Sequence, residues 1–311
     1  MFAAINAFLT SVAAVLLLNQ KSIFGFGATP YTAVTNLVSN TGVVATDTTG
    51  VGTVRYALAA AGYGGDKAIF GYGSNAGTFY TITNLVSNTG VVANDASGVG
   101  QARMGIAAAT YGTDKAIFGY GGRNYPVTAV YSVTNLVSNT GVVATDTAGV
   151  GTARLYIAAT GYGADKAIFG YGSDVLGTTV YSITNLVSNT GVVASDTTGV
   201  GTARQGLAAT RYGTTGQAIF GYGSDAVFSS LSMTNLVSNT GVVATDTTGV
   251  GTARSSPGAA VYGGDKGLFG FGYTTVAVSM TNLISNTGVV ATDTTGVGTA
   301  RYNPGAAGYG A

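Results

Sequence analysis

The stretch SNTGVVATDTTGVGTAR stands at 238–254 and again, unchanged, at 285–301, with edited copies at 39–55, 87–103, 138–154 and 188–204. The arginines that close these copies, Arg55, Arg103, Arg154, Arg204, Arg254 and Arg301, follow one another at steps of 47 to 51 residues. Asn36, Asn84, Asn135, Asn185, Asn235 and Asn282, each inside a Thr-Asn-Leu triplet, keep the same steps. Repetition on this scale overrides a domain count based on length, because a unit this short cannot cover its own apolar face and must lean on its neighbours.

One unit can be read in pieces. Tyr56–Tyr63 is a run of small apolar residues, Lys67–Tyr72 is β-rich, Phe79–Val86 alternates, and Gly90–Asp95 is again short and apolar. Gly64-Gly65-Asp66 and Ser87-Asn88-Thr89 separate the runs with turn-forming residues. No stretch of the unit keeps a 3.6-residue period, so four short strands are expected rather than a helix. Four strands in about fifty residues, repeated radially, specify an all-β chain: a six-bladed β-propeller of four-stranded blades over residues 20–311. The ends fit this reading. Arg301–Ala311 is the first strand of a unit with nothing after it, and the run from Lys21 is a unit lacking that strand. Pairing the N- and C-terminal strands would close the ring and hide two sheet edges.

The unit resembles the kelch repeat. Arg55 stands where that repeat opens, Gly71-Tyr72-Gly73 where its diglycine closes the second strand, and Ser87-Asn88-Thr89-Gly90 where its later turn falls. The chain departs from the pattern in having no Trp and in splitting the diglycine. The resemblance implies kelch-like blades and says little about function. The Gly/Thr/Val-rich, Cys-free repeats also resemble, loosely, uncharacterised repeat proteins of marine tailed phages.

Charge excludes more than it suggests. The net charge is +1, which offers no electrostatic footprint for nucleic acid. Of 13 basic residues only Arg123 and Arg211 fall outside repeat positions, and of 12 acidic residues only Asp174 and Asp225 do. There is no His, no Cys and no Glu, so no triad, thiolate or paired-glutamate chemistry can be assembled, and no enzyme, cofactor or metal site is expected. The Asp-x7-Arg pairs, such as Asp47 with Arg55, carry one carboxylate per loop and lack calcium-loop spacing; they read as staples within or between blades.

Function is sought where the copies disagree. They differ in the link between second and third strands and in the two residues after each Arg, and alternating connections put both regions on one face of the disc. The candidate binding residues there are Tyr56, Met104, Arg123, Asn124, Tyr125, Tyr156, Asp174, Gln205, Asp225, Phe228 and Tyr273. Residues 1–19 form a separate apolar arm, with Ile5, Phe8, Leu9, Val12 and Leu16 in a stripe at helical spacing. The expectation is a structural or host-recognition component of a virion, docked on other virion or surface proteins through the arm and meeting a host-surface receptor or glycan through the variable face. A secreted or cell-surface bacterial propeller that binds sugar or protein is the alternative.

Overall fold

The computed structural model describes residues 20–123 and 128–310; the arm at 1–19, with Ile5, Phe8, Leu9, Val12 and Leu16, and the loop residues Asn124 and Tyr125 lie outside the described residues. Among the described residues the chain is all-β and propeller-like, built from six antiparallel three-stranded sheets and two short ribbons. In five sheets all three strands come from one unit, as in Ala59–Tyr63, Lys67–Gly71 and Thr83–Val86, with a short ribbon between the second and third strands in two of them. The sixth takes its inner strand, Gly305–Tyr309, from the C-terminal end and pairs it with Lys21–Gly25, which then pairs with Thr32–Val38. Inner strands pack side by side from sheet to sheet, and Gly305–Tyr309 packs against both Gly258–Tyr262 and Ala59–Tyr63.

The fourth strand of each unit departs from expectation. Residues after the SNTG turn touch the third strand at two isolated bridges only, Val86 with Val92 and Thr83 with Ala96 in the second sheet. Three residues on the outer segment face two on the strand, which is a β-bulge. The side chain of Asn84 fills the gap, donating to the Ala93 carbonyl at 3.0 Å and to Asp95 Oδ1 at 2.8 Å. Each sheet is therefore three strands and a pinned outer edge, a form that also discourages edge-to-edge association.

The KAIFGYG run explains how one sheet stacks on the next. Its Ile and Phe are fully buried, as with Ile69 and Phe70, and each such side chain contributes ~1.5–3 kcal/mol. Its first Gly leaves room for the Phe ring of the following sheet: a Cβ on Gly71 would sit 2.7 Å from Phe118, and one on Gly270 would sit 2.8 Å from Phe24. The next residue, Tyr72 and its equivalents Phe26, Tyr120, Tyr171, Tyr222 and Phe271, is held at φ between 62° and 65°. A left-handed aromatic residue costs ~1–3 kcal/mol and persists only where its surroundings fix it. Here the Tyr72 carbonyl accepts from Arg55 Nε at 2.8 Å, its hydroxyl donates to the Val99 carbonyl at 3.1 Å, and Arg103 lies 4.5 Å above its ring.

The terminal seam repeats these contacts with two omissions. Ser22 Oγ, where four other sheets carry Ala and one carries Gly, and Arg301 Nε are buried without a hydrogen-bond partner among the described residues.

Candidate functional site: the variable mouth

Two constellations compete for attention, one repeated and one not. The repeated one is centred on the six arginines, all fully buried. Arg103 stacks on Tyr72 of the preceding sheet, then donates to the Tyr120 carbonyl at 2.6 Å and to Asn135 Oδ1 at 2.8 Å in its own sheet. Its Nη1 lies 3.9 Å from Asp146, whose carboxylate accepts from the Gln101 amide at 2.9 Å. The aspartate that meets each arginine thus comes from the next copy. Arg55 faces Asp95 at 3.8 Å, and Asp47 receives the Thr299 amide beside Arg301. The Asp-x7-Arg residues of a single copy, such as Asp47 and Arg55, do not pair. They staple adjoining units, because the chain leaves one sheet's outer edge before the Arg enters the next sheet.

The electrostatics of these nodes are those of a scaffold. Burial pushes Arg55 and Arg301 down to about 10 against the pull of Asp95 and Asp47, which leaves both charged at neutral pH. Burial opposes ionisation of Asp95, but hydrogen bonds from Thr53 and Asn84 and the charge of Arg55 hold its carboxyl below the ordinary range. Asp47, Asp196, Asp246 and Asp293 are lowered in the same way.

The unrepeated constellation lies where the two variable regions meet. Each residue after an Arg bridges the loop that follows the second strand: Tyr56 with Ser74, Met104 with Gly122, Gln205 with Ser224 and Ser255 with Tyr273. The next residue in every copy has positive φ: Ala57, Gly105, Tyr156, Gly206, Ser256 and Asn303. That conformation turns each amide toward the neighbouring unit. Gly105 donates to Ala57, Tyr156 to Gly105, Gly206 to Tyr156, Ser256 to Gly206, Asn303 to Ser256 and Ala57 back to Asn303, at 2.6–3.3 Å. This circle of backbone hydrogen bonds rims a central cavity of about 100 Å³ walled by alanines such as Ala60, Ala108 and Ala159.

Five tyrosines gather over the rim. Tyr31 stacks on Tyr56 with ring centroids 5.3 Å apart, and Tyr273 meets Tyr302 edge-on at 5.3 Å. Tyr156 lines the central cavity, and its hydroxyl is held un-ionised well above the ordinary tyrosine range, by burial first and then by Tyr56 and Tyr302 on the far side of the rim. Tyr31 and Tyr273 keep 49% and 38% of their surface exposed, so part of the cluster is open to solvent.

Other candidates fall elsewhere. Met104 and Gln205 are buried; Met104 Sδ accepts from Ser74, and Gln205 Oε1 accepts from Ser173 Oγ at 2.7 Å. Asp174 and Asp225 cap their own loops, accepting from the Thr178 amide at 3.0 Å and the Ser229 amide at 2.8 Å. Arg123 donates to the Ala102 carbonyl at 2.6 Å with Phe79 beneath it. Phe228 is exposed and rests over Gly177. Tyr31 and Tyr302 were missing from the sequence candidates; the signal that could have found them is that both fall in the variable regions already singled out.

No group of three His, Cys, Asp or Glu side chains able to hold a metal exists among the described residues, and no helix long and apolar enough to cross a membrane is found among them. No family model matches the sequence, and no curated protein matches it. The fold is similar to that of the solved "Structure of YjhT", with a TM-score of 0.65 over 88% of this chain and 94% of that one, at 12% identity. At that identity the likeness concerns fold alone.

Proposed function

We propose that the chain is a six-bladed, kelch-like β-propeller closed by its terminal strands, and that it is a non-enzymatic recognition component of a virion whose tyrosine-bearing mouth meets a host-surface glycan or receptor. The ring reading is supported by the cyclic hydrogen bonds at the rim and by the pairing of Lys21–Gly25 with Gly305–Tyr309. The observation that carries the recognition reading is the five-tyrosine cluster. Near-identical units have drifted at this end of the disc, and five aromatic side chains from separate positions meet there. Tyrosine offers a rigid apolar face with a polar tip, the combination favoured at recognition surfaces and suited to the apolar face of a sugar ring bordered by hydroxyls. A carboxylate that caps its loop, as those of Asp174 and Asp225 do, keeps its charge, and the tyrosine cluster itself holds no cationic side chain, so the mouth suits a neutral saccharide better than an acidic one.

Placement in a particle rests on the sequence: the near-identical repeats and the apolar arm suit an assembly part. Mass spectrometry of purified particles tests it, and recovery of the chain from culture medium alone would favour the secreted bacterial reading. Recognition is tested by a glycan array with the full chain and with Tyr56→Ala and Tyr273→Ala. Selective binding by the wild type that falls at least about tenfold in both variants supports the reading; equal binding by all three proteins rejects it.

A further inference from the structure

At the opposite end of the central channel the sixfold pattern is broken by one residue. The inner strands place Gly62, Thr110, Gly161, Arg211, Val261 and Gly308 at equivalent positions. Only one of the six is charged. Arg211 lines a cavity of about 80 Å³ whose walls are otherwise mostly Ala, Gly and Thr, including Ala109, Gly161 and Ala209. Its side chain lies along the preceding sheet, where the absence of a side chain makes room: a Cβ on Gly161 would sit 3.1 Å from Arg211 Cδ.

The six repeat arginines each have fixed partners, whereas the Arg211 guanidinium has no hydrogen bond or ion pair to any described residue. The turns near it supply none. Asp66, Asp114, Asp165 and Asp265 are engaged by Lys and Asn side chains of their own sheets. The turn that follows Arg211, Gly213–Gln217, carries neither the Asp nor the Lys found in the others. Thr110, at the same level, donates its hydroxyl proton to the Gly62 carbonyl at 2.8 Å. Burial alone lowers the pKa of Arg211, with no carboxylate acting on it.

A guanidinium has five donors; Arg211 is half-buried, and its donors, unlike the enclosed Nε of Arg301, stay open to the channel, where a small anion can take the place of their water. We infer that Arg211 and the channel around it form a binding site for one small inorganic anion, of the chloride or phosphate kind. The volume admits a few waters or one compact ion and excludes nucleotides or sugar phosphates. The site is distinct from the tyrosine mouth, and a ring of alanines shared by both cavities separates the two.

The test is ³⁵Cl NMR on the full chain at neutral pH. Wild type should broaden the chloride line, and added phosphate should reverse that broadening if the oxyanion is the preferred occupant, or leave it unchanged if chloride is. Arg211→Met and Arg211→Gln should lose at least about tenfold in affinity while keeping the wild-type circular dichroism; Lys166→Met, which removes an exposed lysine at the same end of the disc, should change nothing. Having two substitutions keeps the test open should one fail to fold. Broadening that is equal in wild type and both Arg211 variants overturns the site. So does the absence of broadening together with a phosphate-induced melting shift that is the same in wild type and variants.

Discussion

Arg204 stands just before the inner strand Ala208–Tyr212 and Arg211 stands within it, yet their surroundings differ. Arg204 is held by Tyr222, Asn235 and Thr202, with Tyr171 beneath and Asp246 beside it; four other copies repeat the arrangement in full, and Arg301 repeats it without the Nε bond. Arg211 occurs once, lies in a channel and has no partner among the described residues. The wall nodes and the channel and mouth residues divide the molecule by how many times a feature is copied. What is copied is satisfied, apart from Arg301 Nε at the seam, and serves the fold. What appears once is left with unspent hydrogen-bonding or aromatic surface, and this is where ligands are to be sought.

The strongest way to break this comparison is to remove one copy of the wall. Deleting residues 301–311 takes away an arginine node and an inner strand, exposing the edges of Lys21–Gly25 and of two neighbouring inner strands. The expected result is aggregation or loss of a cooperative melting transition; a truncated chain that melts like the full one would contradict a closed ring. Next in size, Arg204→Met should destabilise by about 3–5 kcal/mol, because it strands Asn235 and Asp246, whereas Arg211→Met should be neutral or stabilising. Denaturant titration of both variants side by side reads the contrast directly. If the two cost the same, the division between copied and single features fails.

A smaller effect follows from the node carboxylates. Their folded pKa values lie below the ordinary value, so the stability they contribute is present above about pH 4, the value in the unfolded chain, and is lost as pH falls through the lower folded values. Melting temperature should therefore be level from neutrality to about pH 5 and fall below pH 4. Asp246→Asn should flatten part of that fall. The smallest change expected is at the mouth: Tyr273→Ala should alter stability by no more than about 0.5 kcal/mol, since its ring is partly exposed, while glycan binding falls at least about tenfold.

Much of the wall was legible in the sequence. Turn residues and apolar runs gave the first three strands of each unit, and the incomplete units at the two ends pointed to their pairing. The fourth strand was not legible, since VVATD alternates like a strand and nothing in the letters says that the Asn side chain will open the ladder. The pairing of Asp with the previous copy's Arg escaped for a related reason. Identical copies make a partner within a copy and one in the next copy indistinguishable until the path of the chain is known. The mouth was legible only as a region. Tyr31, Tyr56, Tyr156, Tyr273 and Tyr302 are scattered over the whole length and become a cluster only when the successive sheets are packed together, while Met104 and Gln205, equally variable, turn inward. Arg211 stood out as a charge outside the repeats, but its place in the channel depends on three-dimensional equivalence with Gly62 and Gly161.

The seam has a dynamic consequence. Ser22 Oγ and Arg301 Nε lack the hydrogen bonds that their counterparts make or do not need, so the junction of Lys21–Gly25 with Gly305–Tyr309 is the least well satisfied of the six. Local opening should begin there, with backbone amides of Lys21–Gly25 exchanging with solvent ahead of those in Ala167–Gly170. An opened chain presents a free inner strand at one end and a sheet wanting one at the other. At high concentration the two ends need not find each other: strand exchange between molecules would satisfy both and convert a disc into a chain of linked copies.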